Sequence, residues 1–259
     1  MTAVIINADD FGMSESCTKA IVECFEKGLV TDTTMLANGV YFDEAVKLAK
    51  LHGFDDKIGI HLNLTEGEPL TEDIKGCPRF VTDGRFNKCY DRALPLSAEE
   101  QAAIYKELTA QAVKLEKAGL SITHADSHHH IHTGVWIAPT ASRVCREHGI
   151  EKIRMIRNLG GRRVSSADEV RYKEQLKEYG LISTRYFTYM SDIQGMDIPD
   201  ITEILVHPDY DEHGSLIDRK GKEKGMPFKP FDNAGRALRG VLPFLPPADS
   251  DDNRPRNVR

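Results

Sequence analysis

Five of the chain's ten histidines fall within nine residues, His124-Ala125-Asp126-Ser127-His128-His129-His130-Ile131-His132. Neutral imidazole is the commonest biological metal ligand near neutral pH. The segment is internal and follows an apolar stretch carrying Leu120 and Ile122, which sets it apart from an affinity tag. Neighbouring rings cannot all converge on one ion. Such a run supplies one or two ligands, and the others bind substrate, line a pocket or orient the ligands. If a strand continues through the cluster, Asp126, His128, His130 and His132 share one face and His129 points away. Three other places carry groups able to join them. Asp9-Asp10 precedes Phe11-Gly12. One carboxylate of such a pair can hold a metal while the other takes a proton from water, although Asp-Asp is also common in solvated turns. His61 stands in Gly59-Ile60-His61-Leu62-Asn63-Leu64, a setting that equally suits a hydrogen-bonded core histidine. His207-Pro208 follows Glu203-Ile204-Leu205-Val206. A histidine fixed there can serve as general acid, with Glu203 orienting it. One Asp with two His is a mixed oxygen–nitrogen set that leaves positions for water and substrate, the layout of a hydrolytic metal site. These donors suit Zn, Co, Mn or Ni; magnesium prefers oxygen.

The elements that must position these residues alternate between strand-like and helix-like. Strands are expected at Val4 to Ile6, Thr31 to Leu36, Ile58 to Leu62, Ile122 to Ala125, Ile153 to Ile156 and Ile204 to Val206. A helix should run from Ser14 or Ser16 to Lys27, with Gly28 as its stop, and another from Phe42 to Leu51. The capping box Ser97-Ala98-Glu99-Glu100 should open a long helix ending at Gly119. Further helices are expected from about Val135 to His148 and over 168–179, and residues 66–95 read as loop. Repeated strand–helix units indicate an α/β protein with a parallel sheet, open or closed into a barrel. Functional groups in such folds gather at the carboxyl ends of the strands. Asp9 and Asp10, His61, the histidine cluster and His207 all follow strands, so four strand ends point to one convergent site. His52 and His148 lie near helix ends, where the dipole favours them, and are given no catalytic role.

The length of 259 residues with 40% hydrophobic content fits one large domain. The net charge of -6 offers no general attraction to nucleic acid or anionic membranes. No apolar run approaches the roughly 18 residues needed to span a bilayer. The first residues lack the basic region of a secretory signal. Five cysteines, odd in number and without CxxC pairing, fit reduced thiols in a cytoplasmic protein. From Leu242 onward proline and mixed charge disfavour a packed element. The domain is therefore placed at 1–245 and a flexible tail at 246–259.

Four segments resemble the YdjC-like carbohydrate deacetylases, the family of chitooligosaccharide deacetylase. They are Asn7-Ala8-Asp9-Asp10-Phe11-Gly12-Met13-Ser14, Gly28-Leu29-Val30-Thr31-Asp32-Thr33-Thr34, Gly59 to Gly67, and Thr123 to His132. Glu203-Ile204-Leu205-Val206-His207-Pro208 resembles the family's late Glu-Leu-x-x-His-Pro motif. The motifs keep the family's order across residues 4–208 and are specific together rather than singly. The resemblance implies a distorted TIM-like (β/α) barrel in a single domain. It implies metal-dependent removal of acetyl groups from N-acetylated sugars such as diacetylchitobiose. Carried over by position, Asp10, His61 and His128 look like metal ligands, Asp9 like the base and His207 like the acid. Arg154 lies in a stretch similar to one the family uses near its active site; His130 and Thr34 are further candidates for substrate contact. The family's metal is Mg2+, whereas the two histidines keep Zn2+ open. Residues 214–247 match the family's usual ending poorly, so the last barrel segment is expected to be altered or missing. Two other readings stand: a metal-dependent phosphoesterase, kept open by Arg154 and Arg157, and an inactive sugar- or metal-binding barrel. The expected partner is an N-acetylated oligosaccharide, with neither nucleic acid nor membrane, and homo-oligomer formation is left open.

Overall fold

The computed structural model describes residues 4–88, 94–161, 164–193 and 196–222. The first half alternates β1 (Val4–Phe11), α1 (Glu15–Glu26), β2 (Asp32–Met35), α2 (Phe42–His52) and β3 (Ile58–Leu62). The expected loop then holds a short α3 (Glu72–Lys75) and a hairpin of β4 (Val81–Thr82) and β5 (Arg85–Phe86). Next come α4 (Ala98–Lys117), β6 (Ala125–Ser127), α5 (Ala138–Glu147), α6 (Ser166–Glu178), β7 (Tyr186–Tyr189) and β8 (Thr202–Val206). A second hairpin, β9 (Pro208–Tyr210) and β10 (Leu216–Asp218), leads into α7 (Arg219–Lys222).

Six strands form one parallel sheet in the order β6-β3-β2-β1-β8-β7. Every residue of β1, β3 and β8 is buried. Burial on both faces explains why they read as apolar runs rather than alternating patterns. The sheet curls into a half-barrel. Its β6 edge continues into the segment after α5: Ala125 N–H donates to the Lys152 carbonyl at 2.8 Å, and Arg154 N–H to Ala125 at 2.9 Å. Ile153 N–H in turn donates to Ile182 at 3.0 Å. The strand expected over Ile153–Ile156 is thus reduced to bridges at Lys152 and Ile153.

Local chemistry accounts for the elements. Ser14 caps α1 by accepting from Cys17 N–H. Ser97 and Glu100 form the reciprocal capping box of α4. A Cβ at Gly59 would stand 2.6 Å from the His124 carbonyl oxygen, so only glycine lets β3 run against that segment. The strand expected at Ile122 to Ala125 forms three residues later, over Ala125–Ser127. The β9–β10 hairpin packs on α1, where Tyr210 donates to Glu23 at 2.6 Å. Among the described residues Cys17, Cys24, Cys77 and Cys145 are free thiols. No helix among them is long and apolar enough to cross a membrane. The expected tail, 246–259, lies outside the described residues.

Candidate active site

The site begins with an irregularity in β1. Ala8 pairs with Thr33 but Phe11 pairs with Met35, so β1 carries one residue more than β2 over this interval. A bulge of this kind re-aims side chains. Asp10 takes up the extra residue with a left-handed φ of 72°. In a regular strand Asp9 and Asp10 would face opposite sides; here both reach one cluster. Asp10 Oδ1 lies 3.2 Å from His61 Nε2 and 2.8 Å from His128 Nδ1. Asp9 Oδ2 lies 4.0 Å from His61 Nε2. Donor atoms of Asp10, His61 and His128 all fall within 4.8 Å of one another, the spacing of ligands around one ion.

Each member of this trio has a partner on its far side. His61 Nδ1 donates to Asp126 Oδ1 at 2.6 Å, leaving Nε2 to face Asp10. His128 Nε2 lies 3.0 Å from Glu66 Oε2. Arg219 Nη2 donates to Asp10 Oδ2 at 2.5 Å. A carboxylate behind a ligating histidine fixes its tautomer and ring and raises its basicity.

Beneath the trio lies a dry ionic floor. Arg154 is 1% exposed. Its Nη1 and Nη2 donate to Asp9 at 2.8 and 2.7 Å, its Nη1 also lies 2.6 Å from Asp126, and its Nε donates to Glu203 at 2.6 Å. Asn7 adds a bond to Asp9 at 2.8 Å, and Thr34 Oγ1 donates to Asp126 at 3.0 Å. Burial would push Asp9 up, but the Arg154 guanidinium outweighs it and holds the carboxyl well below its usual range. Burial also opposes ionisation of Asp10, yet bonds to His128 and His61 keep it low. Burial disfavours charge on His61, but Asp126 and Asp9 win and lift it to about 10. His128 likewise rises, the pull of Asp10 and Glu66 exceeding its desolvation. Burial lifts Glu203 to about 7 despite Arg154. A pocket that drives two histidines toward the imidazolium carries an anionic excess and favours a cation.

His207 follows β8, near enough to Asp10 and Asp9 for their charges to act on it. Burial pushes it down to about 4. Its Nδ1 is buried without a hydrogen-bond partner, 4.0 Å from Asp218 Oδ1.

The structure therefore brings together Asp9, Asp10, His61 and His128, as the strand-end argument expects, and sets beside them Arg154, which only the family resemblance pointed to. Other candidates are placed differently. Residues 126–132 do not share a strand face, because β6 stops at Ser127 and His129 and His130 turn left-handed, with φ of 53° and 55°. His130 is directed away from the trio to Tyr189, its Nε2 2.5 Å from the phenol oxygen. Thr34 is fully buried, 3.1 Å from His61 Nδ1 and bonded to Asp126, so it braces the floor instead of reaching outward. Arg154 is likewise occupied by three carboxylates. His132 Nε2 donates to the Arg154 carbonyl at 3.2 Å and holds that backbone in place. Sequence reasoning missed Glu66 and Arg219. Glu66 stands four residues past β3 and could have been sought there; Arg219 gives no local signal.

The fold and cluster define the class: an α/β enzyme whose charged groups gather at the carboxyl edge of a curled parallel sheet. The chain belongs to the YdjC-like protein family, whose model matches residues 3–233. That match includes 214–233, part of the stretch expected to diverge, and Arg219 from it meets Asp10. A carbohydrate deacetylase of Clostridium beijerinckii is 32% identical over 208 residues, 80% of this chain and 81% of that one. One from Vibrio campbellii is 29% identical over 215 residues, covering 81% and 80%. One from Brevibacillus brevis reaches 40% over 149 residues, which span 57% of each chain. Among solved structures, an Enterococcus faecalis protein described as a cellobiose-phosphate cleavage protein superposes with a TM-score of 0.65 at 24% identity, covering 82% of this chain and 83% of that one. That likeness shows the shared fold.

Proposed function

We propose that the protein is a divalent-metal-dependent hydrolase that removes acetyl groups from N-acetylated sugars, diacetylchitobiose and related chitooligosaccharides being the expected substrates. We read the curled sheet and the segment beside its edge as a distorted TIM-like barrel. The observation that carries the proposal is the convergence of Asp10, His61 and His128 beside a second, separately held carboxylate, Asp9. The residues fit a divalent ion. One oxygen and two nitrogens converge, the histidine partners are carboxylates, and the site already favours positive charge. An ion binding there would displace the histidine protons, the usual exchange in metal uptake. Two histidines suit Zn2+, while the family resemblance points to Mg2+.

A divalent cation held by Asp10, His61 and His128 would polarise the acetyl carbonyl and acidify water. Asp9 is kept ionised and oriented by Arg154, and it accepts the proton of the attacking water. His207 delivers a proton to the amide nitrogen as the C–N bond breaks, giving acetate and a free amino sugar. A pocket that disfavours the imidazolium makes His207 scarce as an acid but a strong donor once protonated. Thr34 and Arg154 act from below, by aligning His61 and Asp9. Against phosphoester chemistry, Arg154 and Arg157 already face carboxylates, Arg157 that of Asp192.

Asp9→Asn tests the assignment. Acetate release from diacetylchitobiose should fall by about 10²- to 10⁴-fold, the usual contribution of a positioned base. Metal content should be unchanged. Retained turnover would remove Asp9 from the mechanism.

A further inference from the structure

His124 opens the histidine run, yet the chemistry above gives it no part. It stands just before β6 and is buried. Its carbonyl accepts from Ile60 N–H at 2.9 Å, which sets it against β3. A Cβ at Gly59 would lie 2.7 Å from the His124 ring atoms Cε1 and Nε2. The ring therefore occupies space that only glycine leaves open. It reaches past β3 to Asn7 of β1, where its Nε2 lies 3.0 Å from Asn7 Oδ1. Asn7 is fully buried and passes the contact on. Its Nδ2 donates to Asp9 Oδ1 at 2.8 Å and to Thr34 Oγ1 at 3.2 Å.

The direction of each bond in this path is fixed by its ends. Asp9, gripped by both terminal nitrogens of Arg154, offers only acceptors. Asn7 must turn its NH2 group toward Asp9, so its oxygen faces His124 and needs a donor there. Burial pushes His124 below the usual histidine range, and a neutral ring has one N–H to give. That hydrogen must sit on Nε2. Nδ1 is then an acceptor, and Thr123 Oγ1 lies 2.8 Å from it. The hydroxyl is free to donate, because the Ile58 carbonyl, its other neighbour at 3.0 Å, already takes the Thr123 N–H at 3.0 Å.

We propose that His124 is a positioning residue for Asp9: its Nε2–H fixes the Asn7 amide so that the NH2 group, not the oxygen, meets the carboxylate. Thr123 holds the ring in the required tautomer. Without this donor the Asn7 oxygen is buried and unpaired, and the amide loses the contact that keeps its NH2 group on Asp9. The role of Asp9 as base rests on the deacetylase reading above; the hydrogen-bond path does not.

The test combines kinetics with the ring's proton. His124→Met should lower kcat for N,N′-diacetylchitobiose about tenfold or more, within the ~10²-fold that a misplaced group can cost. KM should stay within about twofold, since Asp9 acts on water and not on bound sugar. His124→Gln, which carries an N–H donor of similar reach, should recover most of the loss. In an Asp9→Asn background His124→Met should cause no further fall in kcat, whereas damage spread through the fold would persist there. Should His124→Met fail to fold, Thr123→Val decides on the same terms, with kcat lowered about threefold beside Asp9 and unchanged beside Asn at that position. Nitrogen NMR of protein labelled in its histidine rings reads the tautomer without turnover, the His124 signal being the one missing from His124→Gln. It should show hydrogen on Nε2 alone; hydrogen on Nδ1 would overturn the path. Acetate release with kcat equal in wild type and His124→Met, or a loss that persists beside Asp9→Asn, would overturn the positioning role and leave the deacetylase reading intact. A wild type that releases no acetate would sink the deacetylase reading, and the tautomer would then decide the hydrogen-bond path alone.

Discussion

The floor and the rim of the cluster are built from the same kinds of residue in opposite ways. On the floor, His61 sits on β3 and its distal nitrogen meets Asp126, a side chain with no exposure. On the rim, His128 lies just past the end of β6 and its distal nitrogen meets Glu66, whose side chain is 46% exposed. Arg154, in the floor, is sealed among Asp9, Asp126 and Glu203; Arg219, on the rim, meets Asp10 with 31% of its side chain in solvent. The difference separates two tasks. Buried charges fix where the proposed ligands and base stand, since each is strongly coupled in low dielectric. Partly exposed charges couple weakly through water and add little to the rigidity of the cluster.

The sharpest break is in the floor. Arg154→Met leaves three buried carboxylates without their counter-charge and should destabilise the fold by about 3–5 kcal/mol. Urea unfolding of wild type and variant reads this directly. A loss below about 1 kcal/mol would mean that Arg154 is not the keystone of the floor.

Next comes the pairing behind each histidine. Asp126→Asn should weaken metal affinity by about 10- to 100-fold. An unchanged dissociation constant in a competition titration with a metallochromic dye would contradict it.

The floor should also carry a pH signature. His132 is buried between the Ser127 hydroxyl and the Arg154 carbonyl, and burial pushes it down to about 3. The folded protein thus binds this proton less readily than the unfolded chain, whose histidines titrate near ~6.5. Its contribution to stability is complete above that pH and declines as pH falls toward 3. Urea midpoints should drop between pH 7 and 4.5, and His132→Gln should flatten part of that slope. An identical slope in the variant would exclude His132 as a source.

The smallest effect belongs to the rim. Glu66→Gln should change stability by no more than about 1 kcal/mol, as expected of an exposed ion pair. Its effect on metal affinity should be several-fold weaker than that of Asp126→Asn. Equal losses in the two variants would erase the distinction between floor and rim.

Much of the floor was legible because it hangs on strand ends. Asp9, Asp10, His61 and His207 each follow an apolar run, and such runs mark buried parallel strands. The capping box at Ser97 marked the start of α4 for an equally local reason. Three things were hidden. The bulge at Asp10 depends on pairing between β1 and β2, which no local pattern records. The histidine run reads as an alternating strand, but left-handed His129 and His130 end that alternation and send His130 to Tyr189. β7, only four residues long, was too short to stand out from its surroundings. Glu66 and Arg219 meet His128 and Asp10 across 62 and 209 positions of sequence. A charged residue on a loop, like Glu66, or at the start of a short helix, like Arg219, looks like any other until the fold brings a partner to it.

The central claim is that Asp10, His61 and His128 hold a metal that the deacetylation needs. The most direct measurement is metal analysis of the purified protein together with acetate release from N,N′-diacetylchitobiose, before and after chelation. The account predicts about one bound divalent ion per chain, acetate release that stops on chelation, and recovery when metal is restored. A protein that binds no metal and releases no acetate, or whose acetate release survives complete chelation, would contradict it.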